Sequence, residues 1–157
     1  MAERSTRHAT FVIEKMIDAP PARVFHAFAD EAAKALWFQG PDDWEKGPRA
    51  FDFRVGGREA SSGGPKGGPV HAFECRYQDI VPDERIVYAY DMRLGDKRIS
   101  VSLTTIELKP NGAGTRLIFT EQGVFLDGYD DSGSRERGSR WLLDKLAASV
   151  ERQPAPA

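Results

Sequence analysis

The residues best suited to holding a small molecule are the large aromatics Trp37, Phe38, Trp44, Phe73, Tyr88, Tyr90, Phe119, Phe125 and Trp141. Gathered on one wall, they would receive a flat or greasy ligand; dispersed, they would fill a core. Tyr88 and Tyr90 bring two hydroxyls to one face of a strand. A buried hydroxyl needs a partner, which a ligand, a water or a side chain can supply. Glu121 shares the parity of Leu117 and Phe119, so its carboxylate belongs at the end of any space behind them. The set expected to contact a ligand is therefore Trp37, Phe38, Phe73, Tyr88, Tyr90, Phe119, Glu121 and Trp141. Glu74 and Arg76 also lie inside a strand and are expected to point to solvent.

Other chemistry fails on spacing. His8, His26 and His71 have no metal-ligand spacing; His71 shares the parity of Phe73 and Tyr77, which puts it at a pocket mouth, as a general base or as a partly exposed structural residue. Neither HExxH nor a Ser/His/Asp pattern occurs. Gly63 to Gly68 is glycine-rich, but Lys66 is followed by Gly67 rather than Ser or Thr, so it is no P-loop. Asp127, Tyr129 and Asp131 start a calcium-like spacing that ends at Gly138 instead of Glu. Cys75, the one cysteine, reads as a small buried hydrophobe. Arg135, Arg137, Arg140 and Lys145, offset by Glu136 and Asp144, read as a solvated helix face. No catalytic residue, metal or cofactor is expected.

The chain of 157 residues is long enough for one domain with its own core. Lys and Arg total 22 against 24 Asp and Glu, a balance that argues against a nucleic-acid partner. No apolar run approaches the roughly 18 residues of a membrane span, and the first residues lack a signal-peptide pattern. A soluble cytoplasmic domain is expected.

Elements follow from the periodicities. Ala9 to Ile17 reads as a strand, Pro20 to Ala29 as a helix with proline in its first turn, and Asp30 as the cap of a second short helix ending in Leu36-Trp37-Phe38. Phe51 and Phe53 alternate with polar residues before the turn at Gly56-Gly57. Residues 61–69 hold four glycines and two prolines and read as a flexible loop. Strands follow over 70–81, 85–92, 98–109 and 115–123. In the third of these, Ile99, Val101 and Leu103 share one face before the apolar parity shifts to Ile106 and Leu108, which predicts a bulge near Thr104-Thr105. A long helix over about 134–152 carries Trp141, Leu142, Leu146 and Val150, widened by Leu143 and Ala147, and residues 153–157 form a frayed tail. Strands segregated from helices give an α+β class. One helix cannot fill the concavity of a curved sheet, and the leftover space suits a ligand.

Four motifs carry a resemblance over about 10–151: Ile17-Asp-Ala-Pro-Pro-Ala-Arg-Val-Phe-His-Ala-Phe28, Leu36-Trp37-Phe38, Phe51-Asp-Phe-Arg-Val-Gly-Gly57 and Gly138-Ser-Arg-Trp-Leu-Leu-Asp-Lys-Leu146. Gly114-Thr115 also fits, whereas the two residues between Gly138 and Trp141 depart from the pattern. In this order they resemble the START/Bet v-like (SRPBCC) helix-grip superfamily, in its branch of activator-of-heat-shock-protein-90-ATPase homologues. The resemblance implies a single helix-grip domain over 1–157: a curved antiparallel sheet of about six to seven strands around a long C-terminal helix, with two short helices after the first strand. That fold hosts many functions. The favoured expectation is a binding protein for a small hydrophobic or aromatic molecule. The alternatives are a polyketide cyclase or aromatase, with Tyr88, Tyr90, Arg76 and Glu121 as its polar groups, and a chaperone-interaction protein. For the last, the chain has no room for the extra N-terminal domain of the eukaryotic activators, so no strong ATPase stimulation is expected. A homodimer stays open.

Overall fold

The computed structural model describes residues 3–151; the expected frayed tail at 153–157 lies outside them. Strand β1 (Thr6–Ile17) leads into helices α1 (Pro21–Ala29) and α2 (Glu31–Ala35). Strands β2 (Glu45–Lys46), β3 (Ala50–Phe51), β4 (Arg58–Gly64), β5 (His71–Val81), β6 (Arg85–Leu94), β7 (Lys97–Asn111) and β8 (Gly114–Leu126) follow, and helix α3 (Ser132–Glu151) closes the chain. The sheet is antiparallel in the order β1-β8-β7-β6-β5-β4-β2, with β3 paired to β4. Helix α3 packs against β1 and α1. This is the helix-grip fold, with eight strands among the described residues, two of them only two residues long.

Local chemistry sets the early helices. Pro21 opens α1, where a missing N–H costs nothing, and the Asp30 carboxylate accepts from the Ala33 amide at 2.9 Å to cap α2. Trp37 then returns to α1, its indole Nε1 donating to the Ala27 carbonyl at 3.0 Å. At the far edge of the sheet, Gly56 has φ +84° and Gly57 sits where a Cβ would lie 2.0 Å from the Asp52 carbonyl oxygen. The turn before β4 therefore needs both glycines.

Three sequence expectations are corrected. Residues 61–64 are not loop but the second half of β4, with Ser61 opposite Phe73 and Gly63 opposite His71. Sheet pairing uses the backbone, so a glycine-rich segment still forms a strand where neighbours hold its register.

The expected bulge near Thr104-Thr105 is absent, because β7 runs in unbroken register with β8 there. The register shift lies further back, between Met92 and Arg93 on β6, and leaves Ile99 as the extra residue on β7. Polar Ser100, Ser102 and Thr104 consequently face inward, while Val101 and Leu103 face out.

Along α3 the buried stripe is Leu143, Leu146, Ala147 and Val150. Leu142 is partly buried against the core, and Trp141, expected within the stripe, stands at its margin with 44% of its surface exposed.

Candidate functional site

The sheet and α3 do not close on each other. A cavity of about 660 Å³ remains between the inner face of β4 to β8, the first half of α3 and the segment 37–49 that follows α2. That volume lies within the usual range for small-molecule sites, about 300–1,000 Å³.

One wall is a chain of aromatic rings. Phe28 meets Trp37 edge-on at 5.1 Å, Trp37 meets Phe38 at 5.5 Å, and Phe38 meets Phe73 at 5.0 Å. Phe73 reaches Tyr90 at 5.0 Å and Tyr88 at 6.1 Å. Alternation on β5 and β6 turns Phe73, Tyr88 and Tyr90 to the same face, and the segment after α2 folds Trp37 and Phe38 down on them. Phe119 completes this side from β8, stacked on Phe11 at 6.3 Å. At the opening, Trp44 lies over His71 with ring centroids 4.7 Å apart. Burial holds the His71 imidazole below its ordinary pKa, partly opposed by the charge of Asp130.

A polar pole stands among these rings. The Oε2 atom of Glu121 accepts from the Tyr90 hydroxyl at 2.8 Å, from Ser102 Oγ at 2.9 Å and from Arg135 Nη1 at 3.3 Å. The same Nη1 donates to the Tyr90 oxygen at 2.9 Å, and Nη2 donates to Ser100 Oγ at 2.7 Å and to Asp130 at 3.0 Å. Burial works against the guanidinium charge, but Tyr90, Glu121 and Asp130 outweigh it and hold the Arg135 pKa above its usual value. Burial, with the charge of Glu121, lifts the Tyr90 pKa, so this phenol stays protonated and donates. Glu121 is 1% exposed, and its Oε1 atom has no hydrogen-bond partner among the described residues.

A second buried charge lies beneath α2. Lys34, 4% exposed, donates to Glu59 Oε1 at 2.6 Å, and the Tyr77 hydroxyl donates to the same oxygen. The Lys34 ammonium also lies 4.4 Å from the centre of the Phe38 ring and borders the cavity. Burial and the nearby Glu59 charge raise the Tyr77 pKa, so it too is a donor.

All eight residues expected to contact a ligand border the cavity. Trp37, Phe38, Phe73, Tyr88, Tyr90 and Phe119 form its aromatic side, Glu121 its polar pole, and Trp141 its outer rim. His71 and Trp44 border it as well, whereas Phe125 is buried behind Arg135, whose Cζ lies 5.3 Å from its ring. Glu74 is exposed and pairs with Arg58 at 2.8 Å. Arg76 is also exposed and donates to the Gly56 carbonyl at 2.7 Å, so it leaves the group of polar residues that a cyclase would require inside. Cys75 is buried, and desolvation, reinforced by the Glu59 charge, pushes its thiol pKa up to about 12. The site residues that the sequence reading missed are Lys34 and Arg135. Arg135 looked like one more cation on a solvated helix face; its side chain is only 11% exposed. The legible hint was Glu121, a carboxylate at an inward position that required a buried partner.

No helix among the described residues is long and apolar enough to cross a membrane. The same residues contain no cluster of His, Cys, Asp and Glu able to hold a metal ion.

The family described as Activator of Hsp90 ATPase homolog 1-like protein matches residues 18–151. Among solved structures, the Mll3558 protein from Rhizobium loti is 50% identical, covers 92% of this chain and 99% of its own, and superposes with a TM-score of 0.86. A protein from Rhizobium leguminosarum is 46% identical over 96% of this chain and 99% of its own, with a TM-score of 0.91. An AHSA1-like protein from Aeromonas hydrophila, 17% identical over 95% of this chain and all of its own, shares the fold with a TM-score of 0.71. No curated protein matches the chain.

Proposed function

The chain belongs to the Activator of Hsp90 ATPase homolog 1-like family, and on that premise we propose that it is a binding protein that holds a small aromatic or hydrophobic molecule between its sheet and α3. The observation that carries this reading is the 660 Å³ cavity flanked by a continuous run of rings from Phe28 to Tyr90. A sequence under selection for stability alone would fill such a space, because interiors pack to crystal-like density and each void forfeits contacts. Three of these contacts are edge-on and the Phe73–Tyr90 contact is tilted, so the rings present both faces and edges to a flat guest. The polar groups are few and convergent, the composition typical of a small-molecule site.

Native mass spectrometry of freshly purified protein tests the reading directly, since a co-purified molecule appears as a mass increment and identifies the ligand class. In parallel, titration with the dye anilinonaphthalene sulfonate should saturate at one site and raise the melting temperature. Absence of both a bound mass and saturable dye binding overturns the proposal.

A further inference from the structure

We infer that the cavity selects, among aromatic molecules, those bearing a hydrogen-bond donor, a hydroxyl or a protonated amine, and discriminates against those ending in a carboxylate. The inference rests on the binding reading above and adds the chemical class of the ligand. Its source is the unequal use of the two carboxylate oxygens of Glu121. Oε2 accepts from Tyr90, Ser102 and Arg135, while Oε1, buried out of water on a residue that lines the cavity, has no partner among the described residues.

The donors of Tyr90 and Arg135 are already committed. The Tyr90 hydroxyl has one proton, and it goes to Oε2. Arg135 divides its two Nη groups among Tyr90, Glu121, Ser100 and Asp130. Thr104, opposite Glu121 in the β7–β8 register, does not bond to it and has an unpartnered hydroxyl of its own. A buried carboxylate oxygen left without a donor is costly, and a guest that supplies one removes that cost.

Charge points the same way. Glu121, Asp130 and Arg135 together leave one net negative charge at the pole. A cation or a neutral donor is accommodated there; a second carboxylate would face Oε1 with like charge in a low-dielectric pocket.

Four pyrenes of one ring frame test this: pyrene, hydroxypyrene, aminomethylpyrene and pyrene carboxylate, each titrated against the intact chain by fluorescence. Hydroxypyrene and aminomethylpyrene should bind at least about tenfold more tightly than pyrene, as expected for a donor placed on a buried carboxylate, with the carboxylate weakest. Glu121→Gln should reverse the order. Tyr90, Ser102 and Arg135 would keep the amide oxygen on their side and turn the amide NH2 toward the cavity, which then favours pyrene carboxylate.

Equal binding of all four by the unmodified chain overturns the inference, as does an unchanged order in Glu121→Gln. The first comparison needs no variant, so a folding defect in Glu121→Gln does not protect the claim. Pyrene that binds without selectivity overturns this inference and leaves the pocket reading standing. If neither the pyrenes nor the dye bind, this inference is overturned, and the pocket reading falls with it when native mass spectrometry also shows no bound mass.

Discussion

Lys34 on α2 and Glu59 on β4 form a 2.6 Å ion pair in which both side chains are almost wholly buried. The Lys34 end lies beside the cavity's aromatic wall, at the Phe38 ring, and the Tyr77 hydroxyl is bound to the Glu59 oxygen that Lys34 holds. Removing only the cation strands a buried carboxylate. Lys34→Met should therefore cost about 3–5 kcal/mol of stability in urea unfolding. Lys34→Met combined with Glu59→Gln should recover a substantial part, because the amide is neutral and still accepts from Tyr77. Additive losses in this double-mutant cycle would mean the two residues are not coupled.

Trp141 separates binding from folding. The residue is 44% exposed, and the Lys145 ammonium lies 4.5 Å from the centre of its ring. Trp141→Ala should lower stability by about 1 kcal/mol or less, the scale of an exposed cation–π contact, yet weaken dye binding by removing the rim of the cavity. Phe119→Ala, deep in the wall, should cost about 3–5 kcal/mol. A Trp141 variant that unfolds readily but binds normally would return the residue to a purely structural role.

The turn before β4 should tolerate no side chain at Gly57. A Cβ there meets the Asp52 and Arg54 carbonyl oxygens at 2.0 and 2.9 Å, and both are backbone atoms with little freedom to retreat. Gly57→Ala should cost about 1–3 kcal/mol, the usual range for forced overpacking, and lower the melting temperature accordingly.

His71 gives the protein a predictable pH dependence. Burial lowers its folded-state pKa beneath the ordinary 6.5, so below pH 6.5 the unfolded chain binds the proton more readily than the folded one. Stability contributed by this group is therefore present above the unfolded pKa and declines as the pH falls through 6.5 toward the folded value. An NMR titration should place the His71 midpoint below that of a free imidazole. In His71→Gln, the slope of unfolding free energy against pH should flatten in that window.

The long strands β1 and β5 to β8, the cap at Asp30, the proline-initiated α1 and the glycine turn were legible because each depends on neighbours within a few residues, whereas β2 and β4 were not. The inward parity of Phe73, Tyr88, Tyr90, Phe119 and Glu121 followed from the two-residue period of a strand, so the aromatic side of the cavity could be named from the sequence. Ser100, Ser102 and Thr104 were not legible as inward residues. Apolar alternation favoured Val101 and Leu103, and only the displaced bulge at Ile99 reverses the faces. Lys34 and Arg135 were hidden for a related reason. Each is a cation on a helix, stabilised by a carboxylate 25 or 14 residues away on a strand. Local pattern determines which segments become helix or strand, because that choice is made by backbone and nearest side chains. Which polar residues may leave water is decided by distant partners brought within about 3 Å, and only the assembled sheet and helix supply those.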